Sequence, residues 1–255
     1  MYQQGGVDTL IYVLSDIHGQ SRRFESILTQ INLQPEDTLY VLGDVIDRNP
    51  DGIRILRRIM KMPNVKMLLG NHEYMMLKTL YYPVPENVTW PEDYLLRAKY
   101  NWYDNGGGVT HAYLKRIKKS IRQEVFEYLI KLPVNYEITV NDQNYILTHA
   151  APTELYPNYA YKYDSEREFA VWMRFKFDFP KVEGKTVIFG HTTTKRYQIC
   201  NPMQIWHGDG WIGIDCGSSY PEQGDVWSGY FGRLACLRLD DMKEFYSEEP
   251  FEPEE

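Results

Sequence analysis

The sequence predicts an α/β fold with parallel strands in its N-terminal part, and two observations lead to this prediction. Short apolar runs alternate with segments whose apolar residues recur at helical spacing, in the order β-α-β-α-β. Each run is continuously apolar rather than alternating, which is typical of strands buried on both faces. Units of about thirty residues form right-handed crossovers between parallel strands. We therefore expect the carboxyl ends of these strands to meet at one edge of a sheet.

The elements of this unit follow from the same pattern. Apolar residues at helical spacing predict a first helix that follows Ser21, a typical N-cap residue, and that is closed by Pro35. Ile53, Leu56 and Ile59 mark the apolar face of a second helix. The three strands are predicted over residues 9–14, 38–42 and 65–69.

The remaining chain is predicted to contain a helical insert and then further strands. Prolines and aromatic residues interrupt the alternation over residues 81–132, and this insert contains two predicted helices, at 93–104 and 119–131. Another helix is expected at 165–175. The later strands are predicted at 134–140, 145–148, 186–189, 206–215 and 234–239.

Composition and charge narrow the organisation and the classes of partner. With 255 residues, 43% of them hydrophobic, the chain can bury one sizeable core. No linker or repeat is evident, so we expect a single domain over residues 1–255, with a frayed acidic tail at about 247–255. The net charge of −7 argues against nucleic acid and anionic membranes as partners, because both attract an excess of Lys and Arg.

The compartment is predicted from patterns that the sequence lacks. It shows neither the basic start and apolar core of a signal peptide nor an apolar run of about 18 residues, so we expect a cytoplasmic protein. Three cysteines without CxxC spacing predict neither a disulfide framework nor a zinc knuckle, and all three are expected to be reduced and buried. The sequence does not predict an oligomeric state.

Polar side chains follow the apolar runs at the points where the strands are predicted to end. They are Asp16, His18, Asp44, Asn71, His149 and His191. Strand ends at one sheet edge bring such residues into a shared site. Carboxylate and imidazole suit transition metals better than calcium or magnesium, and the lack of cysteine argues against a structural zinc site. Six ligands favour two metals with a bridging carboxylate, an arrangement found in hydrolases of phosphate esters.

Five sequence blocks around these residues resemble, in order, the signature motifs of the calcineurin-like metallophosphoesterases. They are Asp16-Ile17-His18-Gly19, Gly43-Asp44-Val45-Ile46-Asp47-Arg48, Gly70-Asn71-His72-Glu73, His149-Ala150 and Gly190-His191. Within that group the chain looks like the PPP-type serine/threonine protein phosphatases, especially their short bacterial and phage members. Each block alone is a weak signal, whereas the ordered set is specific. The resemblance implies a β-sandwich of mixed sheets flanked by helices, in the layer order α-β-β-α.

The resemblance also implies a role for each residue of the predicted site. It implies two divalent transition-metal ions as cofactors, manganese first, with iron, zinc or nickel as alternatives. Asp16, His18 and His191 would bind one ion, Asn71 and His149 the other, and Asp44 would bridge them. His72 matches the catalytic general acid, and Asp47 matches the carboxylate that orients it.

Two arginines match phosphate-binding positions of the family. Arg48 follows the block of the bridging carboxylate, and its planar guanidinium suits bidentate binding of phosphate. Arg174 matches a second clamp less closely, and the alternative is a surface arginine on an amphipathic helix. Asn49 stands where the family usually has glycine, but asparagine tolerates a left-handed turn, so we expect the turn to persist. Leu69 stands where many protein phosphatases have a further arginine.

Polar residues that lack a motif role are expected to serve the structure. His111 and His207 lie outside the motif blocks, and an isolated histidine is most often a hydrogen-bonded structural residue. Glu73 is expected to cap or support the turn rather than to bind metal, because Asn71 and His72 already occupy that turn.

Three functions are open on the sequence alone. The first is a metal-dependent phosphomonoester hydrolase, most closely a serine/threonine protein phosphatase, acting on a phosphorylated protein or a small phosphoester. The second is a symmetrical dinucleoside-tetraphosphate hydrolase, a class with the same fold and metal ligands. Those hydrolases typically lack the acid at Asp47 and have aspartate in place of Glu73, although Leu69 resembles them. The third is an inactive regulatory or binding member of the fold, which no gap in the ligand set supports.

Overall fold

Two mixed sheets and their helices make up the computed structural model, which describes residues 9–86, 89–176, 178–220 and 231–247. The strands are β1 (Ile11–Leu14), β2 (Thr38–Val41), β3 (Val65–Met67), β4 (Asn135–Val140), β5 (Gln143–Thr148), β6 (Thr186–Phe189), β7 (Trp206–His207), β8 (Trp211–Gly213), β9 (Ala235–Arg238) and β10 (Lys243–Tyr246). The α-helices are α1 (Ser21–Ile31), α2 (Gly52–Ile59), α3 (Asn71–Leu80), α4 (Pro91–Asp104), α5 (Gly108–Arg116), α6 (Lys119–Leu129) and α7 (Glu166–Trp172). Nearly all of the predicted acidic tail lies outside the described residues.

The sheet order confirms the predicted parallel unit. The first sheet has the order β10-β9-β1-β2-β3, in which β1, β2 and β3 are parallel neighbours and β9 runs antiparallel to β1. The second sheet has the order β4-β5-β6-β8-β7, and its three central strands are also parallel. The carboxyl ends of the parallel strands therefore lie at one edge of each sheet.

Alternate residues of each strand pack into different cores, which explains the continuous apolar runs. On β1, Val13 packs between the sheets with Leu147 and Ile188 of the second sheet, whereas Leu14 faces helices α1 and α2. On β5, Ile146 faces the other way and packs with Phe169 of α7. The layers follow the order α-β-β-α, and the predicted fold class is confirmed.

Within its described residues, the helical insert contains three helices rather than the two predicted. The glycines at 106–108 suggested a break, but Gly107 has helical torsion angles, φ −67° and ψ −13°, and α5 begins directly after it. The insert packs into the core beneath the first sheet through Trp102 of α4 and Leu114 of α5, which are both buried. Trp102 thus belongs to the core, whereas Trp90 and Tyr100 of the same region are exposed.

Three local predictions are wrong. Ser21 is not an N-cap: it is the first residue of α1, and its hydroxyl donates to Asp51 Oδ2 at 2.7 Å. The helix ends at Ile31 because Asn32 adopts a left-handed conformation, several residues before Pro35. Among the cysteines, Cys200 is exposed, while the other two are buried as expected.

Candidate metal centre

The six predicted metal ligands lie together at the carboxyl ends of the strands, and all six are buried. They follow β1 (Asp16 and His18), β2 (Asp44), β3 (Asn71), β5 (His149) and β6 (His191). Both sheets therefore contribute to one site, because the strands of each sheet end on the same side.

Asp44 lies at the middle of this cluster. His18 Nε2 is 3.7 Å from Asp44 Oδ2, and His149 Nε2 is 3.5 Å from Asp44 Oδ1. On one side, His18 Nε2 lies 3.8 Å from Asp16 Oδ1. On the other side, His149 Nε2 lies 2.9 Å from Asn71 Oδ1. The two oxygens of Asp44 face different groups of ligand atoms, as a bridging carboxylate requires.

His191 borders both halves of the cluster. Its backbone N–H donates to Asp16 Oδ2 at 2.9 Å, and its ring centre is 5.0 Å from that of His149. Two groups of three residues have potential ligand atoms within 4.8 Å of one another, and both contain Asp44. They are His18, Asp44 and His72, and Asp44, His149 and His191.

The donor atoms of the histidines are arranged to receive a cation. Nδ1 of His18 lies 3.1 Å from the carbonyl oxygen of Ile46, and Nδ1 of His149 lies 2.6 Å from that of Leu42. A carbonyl only accepts hydrogen bonds, so each Nδ1 carries the proton and each Nε2 presents a lone pair to the cluster. Nε2 of His191 is buried and has no hydrogen-bond partner among the described residues. The residues present fit divalent transition-metal ions.

The charges of the site point the same way. Burial, together with repulsion from Asp215, raises the pKa of Asp16 well above its usual range. Burial and the Glu73 carboxylate do the same to the pKa of Asp44. Burial lowers the pKa of His191 well below its usual range, which keeps the ring neutral. A carboxylate is ionised at this depth only with a cation beside it, and a neutral imidazole has a lone pair that a cation can accept.

The backbone at the strand ends is strained, and the Glu73 side chain of α3 holds part of it in place. Asp16 and Asp44 have φ values of 56° and 53°, in the left-handed region that side chains other than glycine rarely adopt. The buried Glu73 carboxylate accepts hydrogen bonds from the N–H groups of Asp44, Val45 and Ile46 at 2.9–3.2 Å. Glu73 also accepts from Gly70 N at 3.2 Å. Its expected supporting role is therefore observed.

His72 and Asp47 form a buried pair beside the cluster. Nδ1 of His72 lies 2.8 Å from Asp47 Oδ2, and Nε2 points toward Asp44 Oδ2 at 3.8 Å. Burial raises the pKa of Asp47 to about 7, although its hydrogen-bonded contacts with Thr110 and Trp102 act against this rise. Burial and the Arg48 guanidinium lower the pKa of His72 well below its usual range.

The two predicted arginines lie at the exposed side of the cluster. Nη2 of Arg48 is 3.3 Å from His72 Nε2, and its Nη1 donates to Ser219 Oγ at 2.7 Å. Arg174 follows the end of α7 rather than lying on the helix, so the alternative of a helix-surface arginine is wrong. Its Nη1 donates to the carbonyl of His191 and to Thr192 Oγ1, both at 2.8 Å.

A sequence model of the calcineurin-like phosphoesterases matches residues 9–194. This chain belongs to that family. The match covers the span in which the motif blocks, the parallel strands of the first sheet and the six clustered side chains lie.

Relatives of this phosphoesterase carry different substrate names. A symmetrical bis(5'-nucleosyl)-tetraphosphatase of Photorhabdus laumondii is 38% identical over 68 residues, which span 26% of this chain and 25% of that protein. A solved structure titled a putative diadenosine tetraphosphatase aligns over 94% of both chains, with 18% identity and a TM-score of 0.55. A cold-active protein-tyrosine phosphatase of a psychrophilic Shewanella species aligns over 94% of this chain and 80% of its own, with 17% identity and a TM-score of 0.53. At these identities the solved structures show the shared fold alone.

Sequence reasoning missed two residues of the candidate site. Asp215 is buried two residues after β8, and its charge interacts with Asp16, Arg48 and Arg174. The signal was available, because Asp215 follows an apolar run at the end of a strand parallel to β6. Trp102 donates its indole N–H to Asp47 Oδ2 at 2.8 Å, and nothing in the local sequence indicates that contact.

Two smaller predictions have different outcomes. Asn49 does not take the left-handed conformation: Asp47 and Arg48 do, with φ values of 70° and 65°, and Asn49 Nδ2 donates to the His18 carbonyl at 2.9 Å. The turn persists because the preceding residues absorb the strain. His111 packs beside Tyr103, with the Tyr103 hydroxyl 2.5 Å from Nδ1, and belongs to neither ligand group.

A cleft with a volume of about 660 Å³ adjoins the centre. Its walls include Tyr74 and Lys78 of α3, Arg97 of α4, Lys162 and Trp172. The Trp172 ring meets the His191 ring edge-on at 5.9 Å, so one wall residue of the cleft contacts the cluster. Among the helices of the described residues, none has both the length and the apolar character needed to cross a membrane.

Proposed function

We propose that this phosphoesterase hydrolyses phosphomonoesters with His72 as general acid, and that its substrates are phosphoserine and phosphothreonine in proteins. The observation that carries this proposal is the buried contact of 2.8 Å between His72 Nδ1 and Asp47 Oδ2. A serine or threonine leaving group departs as a strongly basic alkoxide, so its departure requires a proton donor. Asp47 fixes the ring so that Nε2 is the nitrogen that presents the proton.

The remaining residues divide between metal binding and phosphate binding. Asp16, His18, Asp44, Asn71, His149 and His191 would hold two divalent ions. When bound, these ions supply Lewis acidity and activate water as the nucleophile. Arg48 and Arg174 bind phosphoryl oxygens with their guanidinium groups. A phosphoryl group on Arg48 offsets the positive charge that lowers the pKa of His72, which favours the protonated acid.

The cleft beside the centre supports a substrate larger than free phosphate esters. Its aromatic and basic walls lie next to His191 through Trp172, where the rest of a bound phosphopeptide would extend. Lys78 in this wall pairs with Glu168 at 3.3 Å, so the wall offers both signs of charge.

A symmetrical dinucleoside-tetraphosphate hydrolase is the second candidate, favoured by the curated relative that is 38% identical over 68 residues. That reaction expels a nucleoside diphosphate, which departs without protonation and does not require the His72–Asp47 pair. Turnover of a phosphothreonine peptide and of diadenosine tetraphosphate by the same metal-loaded protein decides between them. We expect faster turnover of the peptide, and selective cleavage of the dinucleotide would refute the first proposal.

The enzyme proposal itself has a separate test. We expect two equivalents of transition metal per chain and hydrolysis of p-nitrophenyl phosphate. A protein that leaves this ester intact with each of several divalent ions would instead be the inactive, regulatory member of the fold.

The acid role predicts a selective loss on substitution of His72. His72→Asn should keep both metals and lower kcat on a phosphothreonine peptide about 100- to 10,000-fold, because the alkoxide then leaves unprotonated. Metal content is measured beside kcat as the control. Unchanged turnover in a variant with full metal content would contradict the assignment.

A further inference from the structure

The Asp47 carboxylate is oriented by two N–H donors, and one of them comes from the insert. His72 Nδ1 and Trp102 Nε1 both lie 2.8 Å from Asp47 Oδ2. Asp47 Oδ1 is buried and has no hydrogen-bond partner among the described residues. All three side chains are at most 1% exposed. The imidazole and the indole therefore share one oxygen of the Asp47 carboxylate as their acceptor.

The indole itself is tightly confined. The Tyr103 ring stacks beside it at 6.0 Å and 11°, and the His111 ring lies 5.5 Å away. A Cβ atom added at Gly107 would lie 2.3 Å from Trp102 Nε1, so the backbone of the insert passes directly over the N–H group. The ring cannot turn without moving the start of α5.

The insert also holds the backbone of the same loop. Asp47 N donates to Thr110 Oγ1 at 3.0 Å, and Arg48 N donates to the Gly106 carbonyl at 3.1 Å. Both donors belong to left-handed residues, with φ values of 70° and 65°. Such residues persist only where the surroundings over-determine their conformation, and here the insert supplies the surroundings.

We infer that Trp102 is a positioning residue of the reaction, whose indole N–H aims the Asp47 carboxylate so that His72 presents its Nε2 proton to the leaving group. This inference rests on the proposed phosphomonoesterase function. Trp102 acts through Asp47 and touches no substrate. Its removal should weaken leaving-group protonation while leaving metal and phosphate binding in place.

The test uses two esters that differ in their need for a proton. The alkoxide of a phosphothreonine peptide needs the acid, whereas p-nitrophenolate is a weak base and departs with little help. In the metal-loaded Trp102→Phe variant, we expect kcat on the peptide to fall about 10- to 100-fold, as when a supporting hydrogen bond is lost. On p-nitrophenyl phosphate we expect a fall of less than about threefold, with KM for both esters within about twofold.

Trp211 provides a matched control. It is equally buried, and its indole N–H donates to the Pro180 carbonyl at 3.0 Å, in the core on the outer side of the second sheet. Trp211→Phe therefore makes the same chemical change away from the pair. We expect it to change the two kcat values by the same factor.

The outcomes separate this inference from the proposed function. Equal losses on both esters in Trp102→Phe, or no loss on the peptide, would overturn the inference while His72→Asn still shows the leaving-group effect. Wild-type protein that hydrolyses neither ester would refute the proposed function, and the inference with it.

A second measurement decides the matter if Trp102→Phe does not fold. The chain has six tryptophans, and their indole protons can be followed by NMR in wild-type protein and in Asp47→Asn. We expect one indole proton to shift strongly when its carboxyl acceptor is replaced by an amide. Six unshifted protons would overturn the inference.

Discussion

The strand-end loops and the helical insert contribute to the same site in opposite ways. The loops carry the charged side chains and the candidate metal ligands within short motifs, so that Asp44, Asp47 and Arg48 are nearly adjacent in the chain. The insert contributes Trp102 and Thr110, which lie 55 and 63 residues from Asp47, the residue they contact. Reactive groups are thus visible as local patterns, whereas the groups that hold them are visible only in the folded chain.

The two regions also differ in how they are stabilised. The loops combine left-handed backbone with buried carboxylates, and both features cost free energy. The insert buries Trp102 and Leu114 in the core beneath the first sheet and is stabilised by this apolar packing. Part of that packing energy offsets the strain in the loop that the insert holds.

The largest effect on metal content and kcat should come from substitution of Asp44, the proposed bridging residue of the loops. Asp44→Asn leaves the shape but removes the charge that faces both halves of the cluster, so we expect fewer than two metals per chain and a fall in kcat of more than about 100-fold. Metal analysis and p-nitrophenyl phosphate turnover measure both effects. His207→Gln is the control, because His207 pairs with Glu244 at 2.7 Å outside the ligand groups. Two retained metals with normal turnover would show that Asp44 does not bridge.

The cost of burying Asp47 should be visible in the pH dependence of stability. Its raised pKa means that the stability it contributes is fully present below 3.8 and is lost as the pH rises through about 7. A shift of about three pKa units corresponds to about 4 kcal/mol. As the pH rises from 4 to 8, metal-free wild type should therefore lose up to about 4 kcal/mol of unfolding free energy that metal-free Asp47→Asn keeps.

Denaturant unfolding of both proteins at the two pH values measures this change. The comparison of variant with wild type cancels groups that titrate alike in both. Asparagine tolerates the left-handed conformation as aspartate does, so backbone strain is matched. A stability difference that is independent of pH would show that Asp47 is not buried as a charge.

The smallest effect should come from the insert itself, at Gly107. Its φ of −67° suits any residue, so Gly107→Ala should cost about 1–3 kcal/mol of unfolding free energy only through overlap with Trp102. Gly108→Ala is the matched control, since its added Cβ meets Tyr103 no closer than 3.7 Å and should change stability by less than about 0.5 kcal/mol. Equal stability of the two variants in thermal unfolding would show that the insert is not packed tightly against the indole.

Much of the fold and the clustering of the candidate ligands could be predicted from the sequence, because both depend on local patterns. Continuous apolar runs predicted the parallel strands, and polar residues at the ends of those runs predicted the six clustered side chains. Asp215 obeys the same rule and was overlooked because its strand falls outside the motif blocks. The α5 helix was missed because consecutive glycines usually break helices, whereas here they allow a close approach to Trp102. The N-cap at Ser21 failed because Asp51, distant in sequence, takes its hydroxyl.

The contact between the insert and the loop that carries Asp47 limits how members of this family can be recombined. The stretch from Trp102 to Thr110 fits one particular loop conformation, through the indole N–H, the Gly106 carbonyl and the Thr110 hydroxyl. A chimera that exchanges the insert with that of another phosphatase must carry this stretch along with the loop at 44–49 as one module. The helices on either side of that stretch are open to exchange, which makes them the natural places to vary what docks beside the centre.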